Sequence, residues 1–393
     1  MRALVMVMNS SLPDPDHEAL ERSRQLSARI RAAIVAAGGM LGFDNYMAMA
    51  LYEPGLGYYT GDAAIFGRAG DFVTAPEAGS LFAACVARQC AAMLKHGDGI
   101  VEYGAGSGRL ACDLLHLLQQ AERLPAYYCI VEPSVALRKR QQAACALLPA
   151  ALRTRLRWCD AHPAAGVHGV VLANEVLDAM PVERCIVEAG RWRELTVALD
   201  GERFVWSSRP YGGSTFDATW AAKLPEGYIS EANPALASWL TAMRGRLARA
   251  VVLLVDYGYP RHEYRHDTRV GGTLQCHYQH HVHDDPFLYP GLQDMTASVD
   301  FTAVAEQALV AGFDVLGYTT QAHFLLDNGL ESVLAAVGGD EVVRYRLAQQ
   351  AKLLLLPGSM GQTFKVMALG VGDTPQLAGF LHDERYRLDG FMP

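Results

Sequence analysis

The chain has 393 residues, 51% of them hydrophobic, with 34 Lys and Arg against 42 Asp and Glu and a formal net charge of −8. That length exceeds one ordinary domain and leaves ample apolar material for a core. The acidic balance argues against nucleic acid as the main partner, because phosphate binding shows as a basic stripe.

Met1–Met8 carries one arginine and a short apolar run, without the length or cleavage site of a secretory signal. Residues 17–37 place Leu26, Ile30, Ala33, Ile34 and Ala37 on one helical face, and Gly38 and Gly39 end the pattern. Leu51–Tyr59 and Gly70–Glu77 are dense in glycine, proline and aromatics, which predicts shaped loops. Residues 78–95 return to helical spacing.

From residue 99 the texture alternates. Ile100–Tyr103 reads as a strand, 108–120 as a leucine-rich helix, Tyr127–Val131 as a strand and 134–147 as a helix. Two further strands follow at Leu156–Cys159, where Arg153, Arg155 and Arg157 alternate like a solvent face, and at Val170–Ala173. Such alternation predicts an α/β fold with a parallel sheet covered on both faces. Residues 182–207 switch to hairpin-like alternation, and 234–249 look helical. Val251–Val255 is the most apolar strand, suited to a sheet centre. Residues 257–298 are irregular, and a loop of that length in a compact fold is usually functional. Asp300 caps a helix with Phe301, Val304, Ala305 and Ala308 on one face, ended by Gly312. Phe313–Tyr318, a helix around 340–356 and Phe364–Leu369 complete the sheet.

The resulting division is an N-terminal extension and lid over 1–97, a core over 98–181 and 250–375, an inserted hairpin and helical subdomain over 182–249, and a tail over 376–393. None of the eight cysteines forms a C-x-x-C pair, and Cys85, Cys90, Cys112 and Cys145 sit in helical stretches as small hydrophobes. This usage predicts a reducing, cytoplasmic compartment. No run approaches the roughly 20 apolar residues that span a bilayer.

The sharpest motif is Val101-Glu-Tyr-Gly-Ala-Gly-Ser-Gly108, between a strand and a helix. Gly104, Gly106 and Gly108 let the backbone turn tightly against a ligand, with Ala105 between them, and the helix start adds free N–H groups. A dinucleotide fingerprint needs its third glycine one residue later, where Arg109 stands. The acidic residue before the turn, Glu102, gives the E/D-x-G-x-G-x-G form associated with S-adenosylmethionine. Glu132 ends the next strand, where an acid accepts from both ribose hydroxyls. Asp160, past the third strand, is placed to accept from an adenine amino group. Asn174, Glu175 and Asp178, after the fourth strand, fall outside the carboxyl ends of the sheet, where ligands bind. A helical turn would put Glu175 and Asp178 on one face. Two carboxylates there suit a cationic or amine-bearing nucleophile. Gly70, Asp71, Thr74 and Glu77 form a segment able to fold over the cofactor, with Tyr58 and Tyr59 read as core tyrosines nearby. Asp256, at the tip of the central strand, is a further candidate to face substrate. The histidines of Cys276–His283 crowd together without the spacing or second cluster of a zinc site, so no metal is expected.

Taken in order, Leu51–Tyr59, Gly70–Glu77, Glu102–Gly108, Asn174–Pro181, Val255–Gly258, Gly271–Leu274 and Gln293–Phe301 resemble the MidA family. Its members are bacterial relatives of a mitochondrial protein-arginine methyltransferase needed for respiratory complex I assembly. The resemblance implies a seven-stranded class I, Rossmann-like methyltransferase sheet with an N-terminal extension and insertions, and S-adenosylmethionine as cofactor. It also implies a protein arginine as acceptor. Glu175 with Asp178 is the expected acceptor pair, and Asp71 or Asp256 could replace one member. Two rivals are a small-molecule methyltransferase and a non-catalytic assembly factor that keeps the fold.

Overall fold

The computed structural model describes residues 12–61, 74–336 and 341–390. Seven strands run in line through the main sheet, Gly99–Tyr103 (β1), Tyr128–Val131 (β2), Leu156–Cys159 (β3), Val167–Asn174 (β4), Leu247–Tyr259 (β5), Asp314–Thr320 (β6) and Phe364–Val371 (β7), and the two-residue strand Val299–Asp300 adds an eighth by pairing parallel with the end of β5. Their order is β3-β2-β1-β4-β5-β7-β6. The first five are parallel, and β7 runs antiparallel to both β5 and β6. This is the mainly parallel α/β sheet that the alternating pattern implies, and its in-line strands match the seven that the family resemblance implies. The strand order reverses between β1 and β4, which opens a crevice at their carboxyl ends.

Side-chain alternation along the strands divides the core into two layers. Ile100, Ile130, Val170, Leu253 and Val366 face the helices Ser80–Met93, Arg109–Gln120 and Gln321–Asp327. Val101, Cys129, Val171, Val252 and Leu369 face the helices Leu236–Arg244 and Phe301–Ala311. Asp300 caps the latter helix by accepting from the Ala303 N–H at 2.9 Å, and Gly312 ends it in the left-handed conformation. From Ala250 to Asp256 every residue of β5 is buried, as a central strand requires.

The hairpin reading of 182–207 corresponds to Glu183–Glu188, Arg191–Asp200 and Arg203–Pro210, all antiparallel. Ile229–Ala232 joins their sheet, and so does Leu41–Gly42 from the N-terminal part. The helix expected over 234–249 stops at Arg244, because the chain turns into β5 at Leu247 to pair with Val167. The 257–298 segment is less irregular than its composition suggests. Gln275–Tyr278 pairs with His281–His283 and with Asp294–Thr296 in a small antiparallel sheet.

The helices His17–Ala36 and Phe43–Tyr52 bury Leu26, Ile30, Ile34, Phe43 and Met47 against Val182, Val197, Cys276, Met295 and Ala297. The N-terminal part is thereby clamped to both the hairpin sheet and the 275–297 segment. Among the described residues no helix is long and apolar enough to cross a membrane.

Candidate active site

A cavity of about 690 Å³ opens at the carboxyl ends of β1, β2 and β4. Thr74, Glu77, Glu102, Gly104, Ala105, Gly106, Glu132, Asp160, Asn174, Glu175 and Asp178 all line it. The sequence candidates scattered over more than a hundred positions therefore meet at one place. Gly108 is not a lining residue. It starts the helix Arg109–Gln120 in the left-handed conformation and packs on Gln141. Asp256 is also absent from the wall. Gly70 and Asp71 lie outside the described residues.

The glycine turn owes its shape to φ angles of +64° at Gly104 and +54° at Gly106, a region that side chains disfavour. A Cβ on Gly104 would stand 2.9 Å from Val176 Cγ2, so this turn rests directly on the loop that follows β4. Beneath it, Glu102 is buried and accepts from the Tyr128 hydroxyl at 2.7 Å. Burial pushes its carboxyl up to about 7, against the pull of that hydrogen bond. Ser107 Oγ donates to Glu77, tying the turn to the short helix Ala75–Ala78.

Glu132 is held from behind. Its two oxygens accept from the Ser134 N–H and from Gln141 Nε2, both at 2.9 Å. Desolvation nevertheless raises its pKa. Asp160 is exposed and paired with Arg138, which also donates to the Glu132 carbonyl at 2.5 Å. Tyr103 and His162, joined at 2.7 Å, extend this wall, with Trp239 edge-on to Tyr103.

At the other end stand the acids that follow β4. Burial, then Asp178, raises Glu175 to about 8, and burial raises Asp178 to about 6. Asn174 Nδ2 donates to Glu175 at 3.1 Å, and the Tyr257 hydroxyl reaches the Asp178 carboxylate. Asp178 Oδ1 and Asn174 Oδ1 are buried, and no donor among the described residues satisfies either. Buried acceptors without partners are costly, and in a cavity wall they are where a ligand's donors fit. Tyr52 and Tyr59 stack 5.5 Å apart beside them, the first bonded to the Ala179 carbonyl and the second to Asp294, each at 2.8 Å. Tyr59, expected as a core tyrosine, thus lines the cavity. Tyr52, Tyr257 and Asp294 fall within motifs noted in the sequence, but nothing there assigned them a part.

Asp256 lies behind this acidic end, 1% exposed, with its carboxylate turned toward the backbone of residues 176–178. Burial, then Asp178 and Glu175, raise its pKa. No group of three or more His, Cys, Asp or Glu among the described residues could hold a metal.

The cavity suits S-adenosylmethionine. A glycine turn at a helix start, a buried acid at the end of β2 and unsatisfied acceptors after β4 face one space, large enough for a nucleoside and an amino-acid arm. A family model of S-adenosyl-L-methionine-dependent methyltransferases matches residues 85–319. The crystal structure of a Burkholderia thailandensis protein bound to S-adenosyl-homocysteine is similar with a TM-score of 0.90. It is 41% identical, and the match covers 95% of this chain and 98% of the other. The mitochondrial protein arginine methyltransferase NDUFAF7 of Danio rerio is 29% identical, covering 86% of this chain and 85% of its own. Its Drosophila melanogaster homologue is 28% identical, with 96% and 91% covered.

Proposed function

We propose that this chain, which belongs to the MidA family of S-adenosylmethionine-dependent methyltransferases, methylates a guanidinium nitrogen of an arginine on another protein. The observation that carries the reading is the carboxyl pair Glu175 and Asp178 in the cavity wall, with Asp178 Oδ1 lacking a partner among the described residues. The names of the mitochondrial relatives support it.

Arginine keeps its charge at neutral pH and presents several N–H donors in one plane. A carboxylate pair binds such a cation in bidentate fashion and fixes its orientation. Desolvation, then Asp178, raises the Glu175 carboxyl to about 8, which leaves it largely protonated at pH 7. An arriving cation reverses this, because an opposite charge favours the ionised carboxyl. The stacked faces of Tyr52 and Tyr59 add a flat wall suited to a planar cation.

Bound S-adenosylmethionine supplies a methyl group already activated on a sulfonium. What remains for the protein is orientation and electrostatics. As the carbon–sulfur bond breaks and the carbon–nitrogen bond forms, the nitrogen becomes more acidic. One N–H proton must then leave, and Glu175 is the adjacent group able to take it.

Mass spectrometry of proteins from cells with and without this gene tests the reading. At least one arginine is expected to lose a one-methyl or two-methyl mass gain on deletion. Loss of methylation from a metabolite alone supports a small-molecule enzyme instead. No change in either supports an assembly factor without catalysis.

A further inference from the structure

We infer that Asp256 is a positioning residue for methyl transfer: its carboxylate holds the turn that follows β4, and with it Glu175 and Asp178, in the shape that meets the acceptor. The inference rests on the reading of those two acids as acceptor-binding groups.

The turn belongs to no regular element, so its backbone groups need partners from elsewhere. Glu175 has φ of +52°, a left-handed conformation that a side-chain-bearing residue keeps only when its surroundings impose it. The tip of β5 does so. The Glu175 N–H donates to the Val255 carbonyl at 2.8 Å. The next three N–H groups, of Val176, Leu177 and Asp178, all converge on one oxygen of Asp256, at 3.2, 2.9 and 3.3 Å. Its other oxygen accepts from the Tyr257 N–H at 2.9 Å. Beyond the acids, the Ala297 N–H takes the Asp178 carbonyl at 3.0 Å, and Tyr52 takes that of Ala179.

Among the described residues, the hydrogen bonds of the Asp256 carboxylate thus go to its own neighbour or to the acceptor turn. Asp256 does not line the cavity. Removing it would strand three successive N–H donors and release the strained Glu175. Glu175 and Asp178 would then be misplaced without losing any atom of their own.

The test uses the full chain with Asp256→Ala and Asp256→Asn. Tritium transfer from methyl-labelled S-adenosylmethionine is followed in a lysate of cells lacking the gene, separated into protein and small-molecule fractions. S-adenosylhomocysteine affinity is measured in parallel by calorimetry. Asp256→Ala is expected to lower transfer about a hundredfold, the scale on which small misplacements act. Affinity should stay within about threefold, since the interaction lost concerns the acceptor. Asparagine keeps one oxygen for residues 176–178 but turns an amide toward the Tyr257 N–H, so a loss of about tenfold is expected, one lost hydrogen bond's worth. Where the alanine variant does not fold, the asparagine variant decides. Wild-type transfer in either folded variant overturns the proposal. So does a fall in affinity that matches the fall in transfer, which marks general damage. Label that appears only on small molecules overturns the arginine reading, while the Asp256 comparison is still read from that label. No transfer by the wild-type protein in either fraction overturns both.

Discussion

Glu175 ties the stability of the protein to pH as well as to the acceptor. Its carboxyl sits at about 8 in the folded chain against an ordinary value of 4.5, with burial as the first cause and Asp178 as the second. Between those values the folded state binds more protons than the unfolded one. The stabilising contribution is therefore complete below about 4.5 and is lost as pH rises through about 8. Glu175→Gln removes this linkage, so its melting temperature without ligand should gain on the wild type from pH 5 to pH 8.5. Calorimetry at several pH values checks this, and a constant difference would mean that the group does not titrate there. The same substitution should cost turnover far more than cofactor affinity. The acids themselves were legible, because a strand end followed by two carboxylates three apart marks a ligand site in this fold. The situation of Asp256 was not. Three of its four partners are main-chain N–H groups 78 to 80 positions away, and a sequence shows side chains but not the backbone they will meet. Tyr52 and Tyr59 were opaque for a similar reason, since only packing decides whether a tyrosine faces core or cavity.

At the scale of elements, the two turns that shape the cavity lean on each other, Gly104 against Val176. A side chain at Gly104 would meet a left-handed φ and a contact 2.9 Å from Val176 Cγ2. Gly104→Ala should lower unfolding free energy by about 1–2 kcal/mol, the usual cost of the left-handed conformation. Its larger effect should be on S-adenosylhomocysteine, with affinity reduced about tenfold or more as the turn shifts from the ligand. Denaturation and calorimetry measure the two separately. Unchanged affinity in a folded variant would show that the turn does not hold the cofactor. The strand-turn-helix around this glycine was readable because every level agreed, from apolar strand to turn glycines to helix period. Short strands fared worse. Gln275–Tyr278 and His281–His283 are polar and histidine-rich, so no period-2 apolar signal marked them. The ends of β5 were missed for the same reason, since Arg249, Asp256 and Tyr259 interrupt the apolar run.

Over the whole molecule, the cavity draws walls from the N-terminal part through Tyr52 and Tyr59, from the main sheet through Glu102 and Glu132, and from the loop after β4. The first of these also packs through Leu26, Ile30 and Met47 on Met295 and Ala297. A ligand seated there stabilises all the walls together, so one unfolding transition should move as a unit when the ligand is added. At about 100 times its dissociation constant, S-adenosylhomocysteine should add about 2.7 kcal/mol. NADH should add nothing, because Arg109 occupies the place of the third dinucleotide glycine. Glu132→Ala removes an acceptor of charge-assisted hydrogen bonds worth about 1.5–3 kcal/mol, a loss of roughly ten- to a hundredfold in affinity. At the same ligand concentration its stabilisation should then fall to about 0.4–1.4 kcal/mol. Differential scanning calorimetry reads all three. Two transitions, with only the second raised by ligand, would mean that the N-terminal part unfolds independently and takes no share in holding the cofactor. A shift with NADH and none with S-adenosylhomocysteine would remove the cofactor from Glu132 altogether.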